Sequence, residues 1–167
     1  MIVGINLETE RESSVAVLGE NLEIYSVEKN EDIVESLPEN VQIVAVNAPI
    51  EPVEGLTEQE EELIDEGFRF TPSTQDKDLN RRAVHLKQLM FEKGFEAELI
   101  RFDEMVSSRE LAIDSDQALE SYGIDTSSIE NAGEFDAVVG AVTARFYQQD
   151  QFRDLGVQVP EGIEENT

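Results

Sequence analysis

Cysteine and tryptophan are absent from this chain of 167 residues, and histidine occurs once, as His85. Without thiols there is no disulfide and no thiolate metal ligand. A single imidazole does not make a multi-histidine zinc centre. Positive charge is scarce: four Lys and eight Arg face 38 acidic residues, for a net charge of −26 and a pI near 4.1. No apolar run approaches the ~20 residues of a membrane-spanning helix. No basic stretch precedes an apolar one at the N-terminus, so no signal peptide is expected. The expectation is a soluble, cytoplasmic protein without a membrane partner.

The acidity is spread along the whole chain and does not form a tail, which marks it as a property of the entire surface. At low salt such a charge strains a compact state by self-repulsion. At roughly 1 M salt the screening length falls to about 3 Å and the strain fades. The reading is a protein adapted to the cytoplasm of a high-salt organism. The competing reading is an acidic surface that mimics or repels nucleic acid, since a surface of this sign gains little from phosphate counterion release.

With 40% hydrophobic residues the chain can bury one core. We expect one domain over residues 1–157 and a flexible acidic tail over 158–167, because Gly156, Pro160 and Gly162 interrupt the pattern there. Strands are expected at 1–8, 14–18 and 22–27, joined by short polar turns into an antiparallel meander. Asn30 reads as the N-cap of a helix over 31–37 that Pro38 stops. A continuous apolar strand follows at 41–46 and should lie parallel to one already formed. Thr57 and Glu60 form a capping box for an acidic helix over 58–66. Residues 78–93 carry the clearest helical periodicity, through Leu79, Ala83, Leu86 and Met90. A fifth, edge strand is expected within 95–102, and a long helix rich in small residues over 133–149. The fold class is α/β: a mixed five-stranded sheet of order 3-2-1-4-5 flanked by helices, with the first and fourth strands adjacent and parallel.

That arrangement brings three stations together. The strand Ile2-Val-Gly-Ile-Asn-Leu7 ends on Asn6, the strand Ile43-Val-Ala-Val-Asn-Ala-Pro49 ends on Asn47, and Glu134-Phe-Asp-Ala137 opens the closing helix. Together with the connector from Glu60 to Pro72 and the helix from Arg82 to Leu89, these segments resemble the RNase H-like superfamily. Within it they resemble the domain-of-unknown-function family 429, a family of predicted nucleases. The resemblance covers about residues 1–157. It implies carboxylates at all three stations, holding divalent metal for phosphodiester hydrolysis, and Asn6 and Asn47 stand where that family has aspartate. Asp136 and Glu134 are kept, and Glu98 lies near the place of a further carboxylate on the fifth strand.

Two-metal hydrolysis needs two divalent cations about 3.5–4 Å apart. Mg²⁺ usually takes one or two carboxylates plus substrate phosphates. An asparagine oxygen can touch a cation but brings no charge to neutralise it, so the expectation is a degenerate site, weak or inactive in catalysis, in a protein that acts by binding. One Mg²⁺ or Mn²⁺ held by Asp136 and Glu134, with Glu98 as a third catalytic carboxylate, is the arrangement left for an active nuclease. The bland alternative is that both asparagines are strand-end residues bonded to nearby backbone. Arg69, Arg81 and Arg82 belong to the only basic concentration and are the candidate substrate-binding residues, unless Arg81 and Arg82 pair with the acidic helix before them. His85 reads as an exposed helix residue, and no organic cofactor is expected. A third hypothesis is an acidic pseudoenzyme with a protein partner and no nucleic acid.

Overall fold

The computed structural model describes residues 1–162. Three strands, β1 (Ile2–Asn6), β2 (Ser13–Leu18) and β3 (Leu22–Val27), form the antiparallel meander. Helix α1 (Asn30–Ser36) leads to β4 (Ile43–Val46), which runs parallel to β1. Helices α2 (Glu58–Asp65) and α3 (Lys77–Glu92) precede β5 (Glu98–Arg101), parallel to β4 at the edge. The sheet order is β3-β2-β1-β4-β5, as expected. Short helices α4 (Glu104–Glu110) and α5 (Asp116–Glu120) lead to the long α6 (Ala132–Gln148). Among the described residues no helix is long and apolar enough to cross a membrane.

Alternation along the strands divides the core between the two faces of the sheet. Ile2, Ala16, Leu18, Ile43, Ala45 and Ile100 pack against α6. Val3, Ile5, Val15, Val17, Val44 and Val46 pack against α1 and α3. Glycine decides how closely α6 can approach. A Cβ at Gly4 would stand 2.1 Å from the Ala137 carbonyl oxygen and 2.2 Å from the Ala141 nitrogen. The helix backbone therefore rests directly on β1, and its first turn is held over the end of that strand.

Two local expectations are corrected, and one further helix cap is found. Asn30 does not cap α1: Lys29 holds the cap position with no side-chain bond. Asn30 instead donates to the Arg82 carbonyl and accepts from Arg82 Nε at 2.9 Å, a buried link between α1 and α3. Helix α4 is capped by Asp103, whose carboxylate accepts from the N–H groups of Met105 and Val106. Residues 158–160 of the expected tail instead form β7 (Gln158–Pro160), paired antiparallel with β6 (Phe152–Asp154). Val157 and Val159 are buried there with Leu63, Phe68, Val106 and Leu155. Alternating valines at an apolar face outweigh the Pro/Gly composition, and Gly156 turns the chain at a φ of 80°. The rest of the proposed tail, 163–167, lies outside the described residues.

Candidate functional site: a cleft at the strand ends

The β1–β4 register pairs Ile2 with Ile43 and Ile5 with Val46, so Asn6 and Asn47 occupy matching positions one step beyond. By strand parity both follow the residues that face α6 (Ile2 and Gly4, Ile43 and Ala45). They meet there. Asn47 Nδ2 donates to Asn6 Oδ1 at 2.9 Å and to the Leu7 carbonyl at 3.2 Å, while Asn47 Oδ1 accepts from the Leu7 N–H at 2.8 Å. Asn47 thus bonds the Asn6 carbonyl oxygen and both backbone groups of Leu7, and Asn6 is only 6% exposed.

Both asparagines line a cleft of about 350 Å³ with Glu8, Arg11, Thr71, Asp76, Glu104, Gly133 and Asp136. Burial pushes the Asp136 carboxyl up to about 6, helped by Glu8 and Asp103. Burial pushes Glu104 up to about 7, helped by Asp103, Asp136 and Glu8. Asp103, buried behind them, is also raised by burial although the N–H groups of Thr71, Val106 and Met105 pull the other way. Arg11 is the cation of the cleft wall; it is largely exposed and sits 3.7 Å from Glu8.

These shifts have a consequence for stability. Asp136 and Glu104 bind protons more tightly in the folded chain than an ordinary carboxylate does, so protonation favours the native state. Their contribution is full below about pH 4 and is lost as pH rises through about 6 and 7. Glu104→Gln keeps the shape and removes the charge. Urea unfolding should therefore find this variant more stable relative to wild type at pH 8 than at pH 5. Equal differences at the two pH values would show that Glu104 titrates normally.

Of the residues singled out in the sequence, the fold brings Asn6, Asn47 and Asp136 to one cleft and leaves the others elsewhere. Glu134 is buried at the start of α6, where its carboxylate accepts from the Glu130 N–H at 2.7 Å and from Ser26 at 3.4 Å. Its own N–H is capped by Asn131. Glu98 pairs in register with Ile43, at the N-terminal end of β5, and contacts the Tyr147 hydroxyl. Because β4 and β5 run parallel, the β5 carboxylates near the cleft are Asp103 and Glu104, just past the strand's other end. Arg81 pairs with Asp78 on its own helix at 3.0 Å. Arg82 is committed to Asn30 and to the carbonyls of Glu8 and Glu28. Arg69 is exposed outside the cleft. His85 is exposed, with Nδ1 3.1 Å from Asn30 Nδ2. Glu8, Glu104 and Arg11 went unnoticed in the sequence. The signal for Glu104 was its place one residue past an N-cap aspartate at a parallel strand's end.

The donor set does not fit a two-cation centre. Asn6 Oδ1 and Asn47 Oδ1 are neutral and each already accepts a hydrogen bond, and among the described residues no three Asp, Glu or His side chains group closely enough to hold a metal ion.

With a mixed sheet of order 3-2-1-4-5 and α6 packed across it, the chain has the RNase H-like α/β fold. RuvC from Thermus thermophilus shares it. The structure of that protein in complex with Holliday junction substrate aligns over 95% of this chain and 98% of RuvC, at 17% identity and a TM-score of 0.54. A further Thermus thermophilus RuvC structure aligns over the same shares at 16% identity and a TM-score of 0.53. No protein-family model and no curated protein matches the sequence.

Proposed function

We propose that this chain is a non-hydrolysing member of the RNase H-fold nucleases, akin to the predicted nucleases of domain-of-unknown-function family 429, and that it acts by binding. The observation that carries this reading is the bond from Asn47 Nδ2 to Asn6 Oδ1. Two carboxylates at that separation repel each other unless a cation lies between them. Here the Asn47 amide nitrogen stands where a second carboxylate oxygen would be, and its N–H bond to Asn6 Oδ1 joins β4 to β1 without a metal. Of the other carboxylates in the cleft, Glu104 is raised to about 7 and so must give up a proton to hold a cation near neutral pH, whereas Asp136, raised to about 6, is mostly ionised there.

Nucleic acid is the first ligand to test, because a RuvC of the same fold is known in complex with a Holliday junction. The net charge of −26 opposes phosphate binding at low salt. It fits better with a high-salt cytoplasm, or with a protein partner in place of DNA. Incubating the protein with branched and duplex DNA in molar KCl, with Mg²⁺ or Mn²⁺, separates the readings. Retention of DNA without cleavage supports the binding role. Cleavage that Asp136→Ala abolishes would overturn it in favour of an active metal-dependent nuclease.

A further inference from the structure

The first turn of α6 holds more hydrogen-bonding groups than its cap uses. Asn131 Oδ1 accepts from the Glu134 N–H at 2.9 Å, while the N–H groups of Ala132 and Gly133 have no partner among the described residues. The three heavy atoms nearest to a Cβ built on Gly133 are all polar: Asn131 Oδ1, Asn6 Nδ2 and Ser14 Oγ, each at 3.4 Å. Asn6 and Ser14 are 6% and 4% exposed and face each other in the β1–β2 register. Asn6 Oδ1 is taken by Asn47, but Asn6 Nδ2 and Ser14 Oγ remain open. Neither atom is sealed in. Asn6 opens on the cleft and Ser14 on an adjoining cavity of about 280 Å³, and the two share Glu8, Arg11, Ala132 and Gly133.

Polar side chains buried to this degree are nearly always bonded. Two open ones beside a free helix start mark a place where a ligand accepts hydrogen bonds. A helix start favours negative charge. The cleft as a whole does not, since Glu8, Asp76, Glu104 and Asp136 line it against Arg11. Asp136 stands one turn along α6 from Gly133, on the same side of the helix. A bare anion therefore meets repulsion, and a bare cation leaves the donors unanswered. A carboxylate with an ammonium beside it answers both.

We propose that the start of α6 binds the carboxylate of a small zwitterion, an α-amino acid, whose ammonium group faces Asp136. Asn6 Nδ2, the Ser14 hydroxyl and the free N–H groups of Ala132 and Gly133 donate to the carboxylate. The inference rests on the metal-free, non-hydrolysing reading of the cleft and names a ligand class for it.

Titrating the whole protein with glycine in molar KCl, while following amide NMR signals, tests the assignment. Saturable shifts are expected at the Ala132 and Gly133 N–H groups and at the Asn6 side-chain amide. Acetate, which has the anion alone, and methylammonium, which has the cation alone, should each bind about tenfold more weakly or less. Gly133→Ala places a methyl at ordinary contact distance from Asn6 and Ser14 and suits a helix better than glycine. It should fold, and it should weaken glycine by about tenfold by filling the space beside the open atoms. Acetate binding as well as glycine, or Gly133→Ala binding as well as wild type, would overturn the proposal. So would the absence of saturable shifts with glycine, L-alanine and L-serine, which leaves water on the two open atoms. Adding Mn²⁺ separates this inference from the reading beneath it. Signals that stay sharp in Mn²⁺ and ignore glycine sink the inference alone, whereas selective broadening of the same signals sinks the metal-free reading.

Discussion

Replacing Asn6 and Asn47 together with aspartate should lower the stability of the metal-free protein at pH 7 by about 2–4 kcal/mol. The double variant loses the 2.9 Å bond that joins the strand ends and the bond from Asn47 to the Leu7 carbonyl. It also sets two like charges side by side, one buried and one half-buried, so one carboxyl should titrate above the usual carboxylate range. Divalent metal offers the relief that the amides now provide. Excess Mn²⁺ should recover most of the loss, since a ligand at about 100 times its Kd stabilises by about 2.7 kcal/mol. Wild type should gain nothing from Mn²⁺. Urea unfolding of both proteins, with and without Mn²⁺, reads the effect. A double variant as stable as wild type in chelator would mean that the amide pair does not hold the strand ends together.

The second large effect is expected at Glu60, a wholly buried carboxylate. It closes the capping box by accepting from the Thr57 N–H, and accepts from Ser73 N–H at 2.7 Å and Ser73 Oγ at 2.5 Å. Burial pushes its carboxyl up, but these hydrogen bonds and the charge of Arg101 outweigh burial and hold it below its ordinary value. Glu60→Leu orphans the donors and leaves the Arg101 guanidinium buried without its counter-ion, which should cost about 3–5 kcal/mol. Adding Arg101→Met removes the stranded charge and should recover part of that. Thermal melts of wild type, the single variant and the double variant decide the matter. A double variant less stable than Glu60→Leu alone would show that the pair is not coupled.

The parts of this fold that were legible in the sequence are those set by local chemistry. The continuous apolar run at Ile43–Val46 announced a strand buried on both faces. Thr57 and Glu60 announced a helix start. Parity and a parallel crossover were enough to put Asn6 beside Asn47, because each needs only its own strand and one pairing rule. Glu98 was misplaced for a related reason. A carboxylate on β5 can be recognised from sequence, but the end of the strand it occupies depends on where α3 lets the chain re-enter the sheet. Glu134 looked free because its partners, the Glu130 N–H and Ser26, lie on a loop and a distant strand. The hairpin of β6 and β7 was hidden by glycine and proline, whose turn signal outweighed two alternating valines. Arg82 has three partners on segments far away in sequence, and only the packed structure reveals them.

A hydrogen bond between two side-chain amides stands where a cation pair would otherwise be required. A crystal grown in Mn²⁺ and measured at the manganese absorption edge tests this most directly. The account predicts Asn47 Nδ2 within hydrogen-bond distance of Asn6 Oδ1 and no manganese peak in the cleft. A manganese ion bound between Asn6, Asn47 and Asp136, with the hydrogen bond from Asn47 to Asn6 broken, would contradict it.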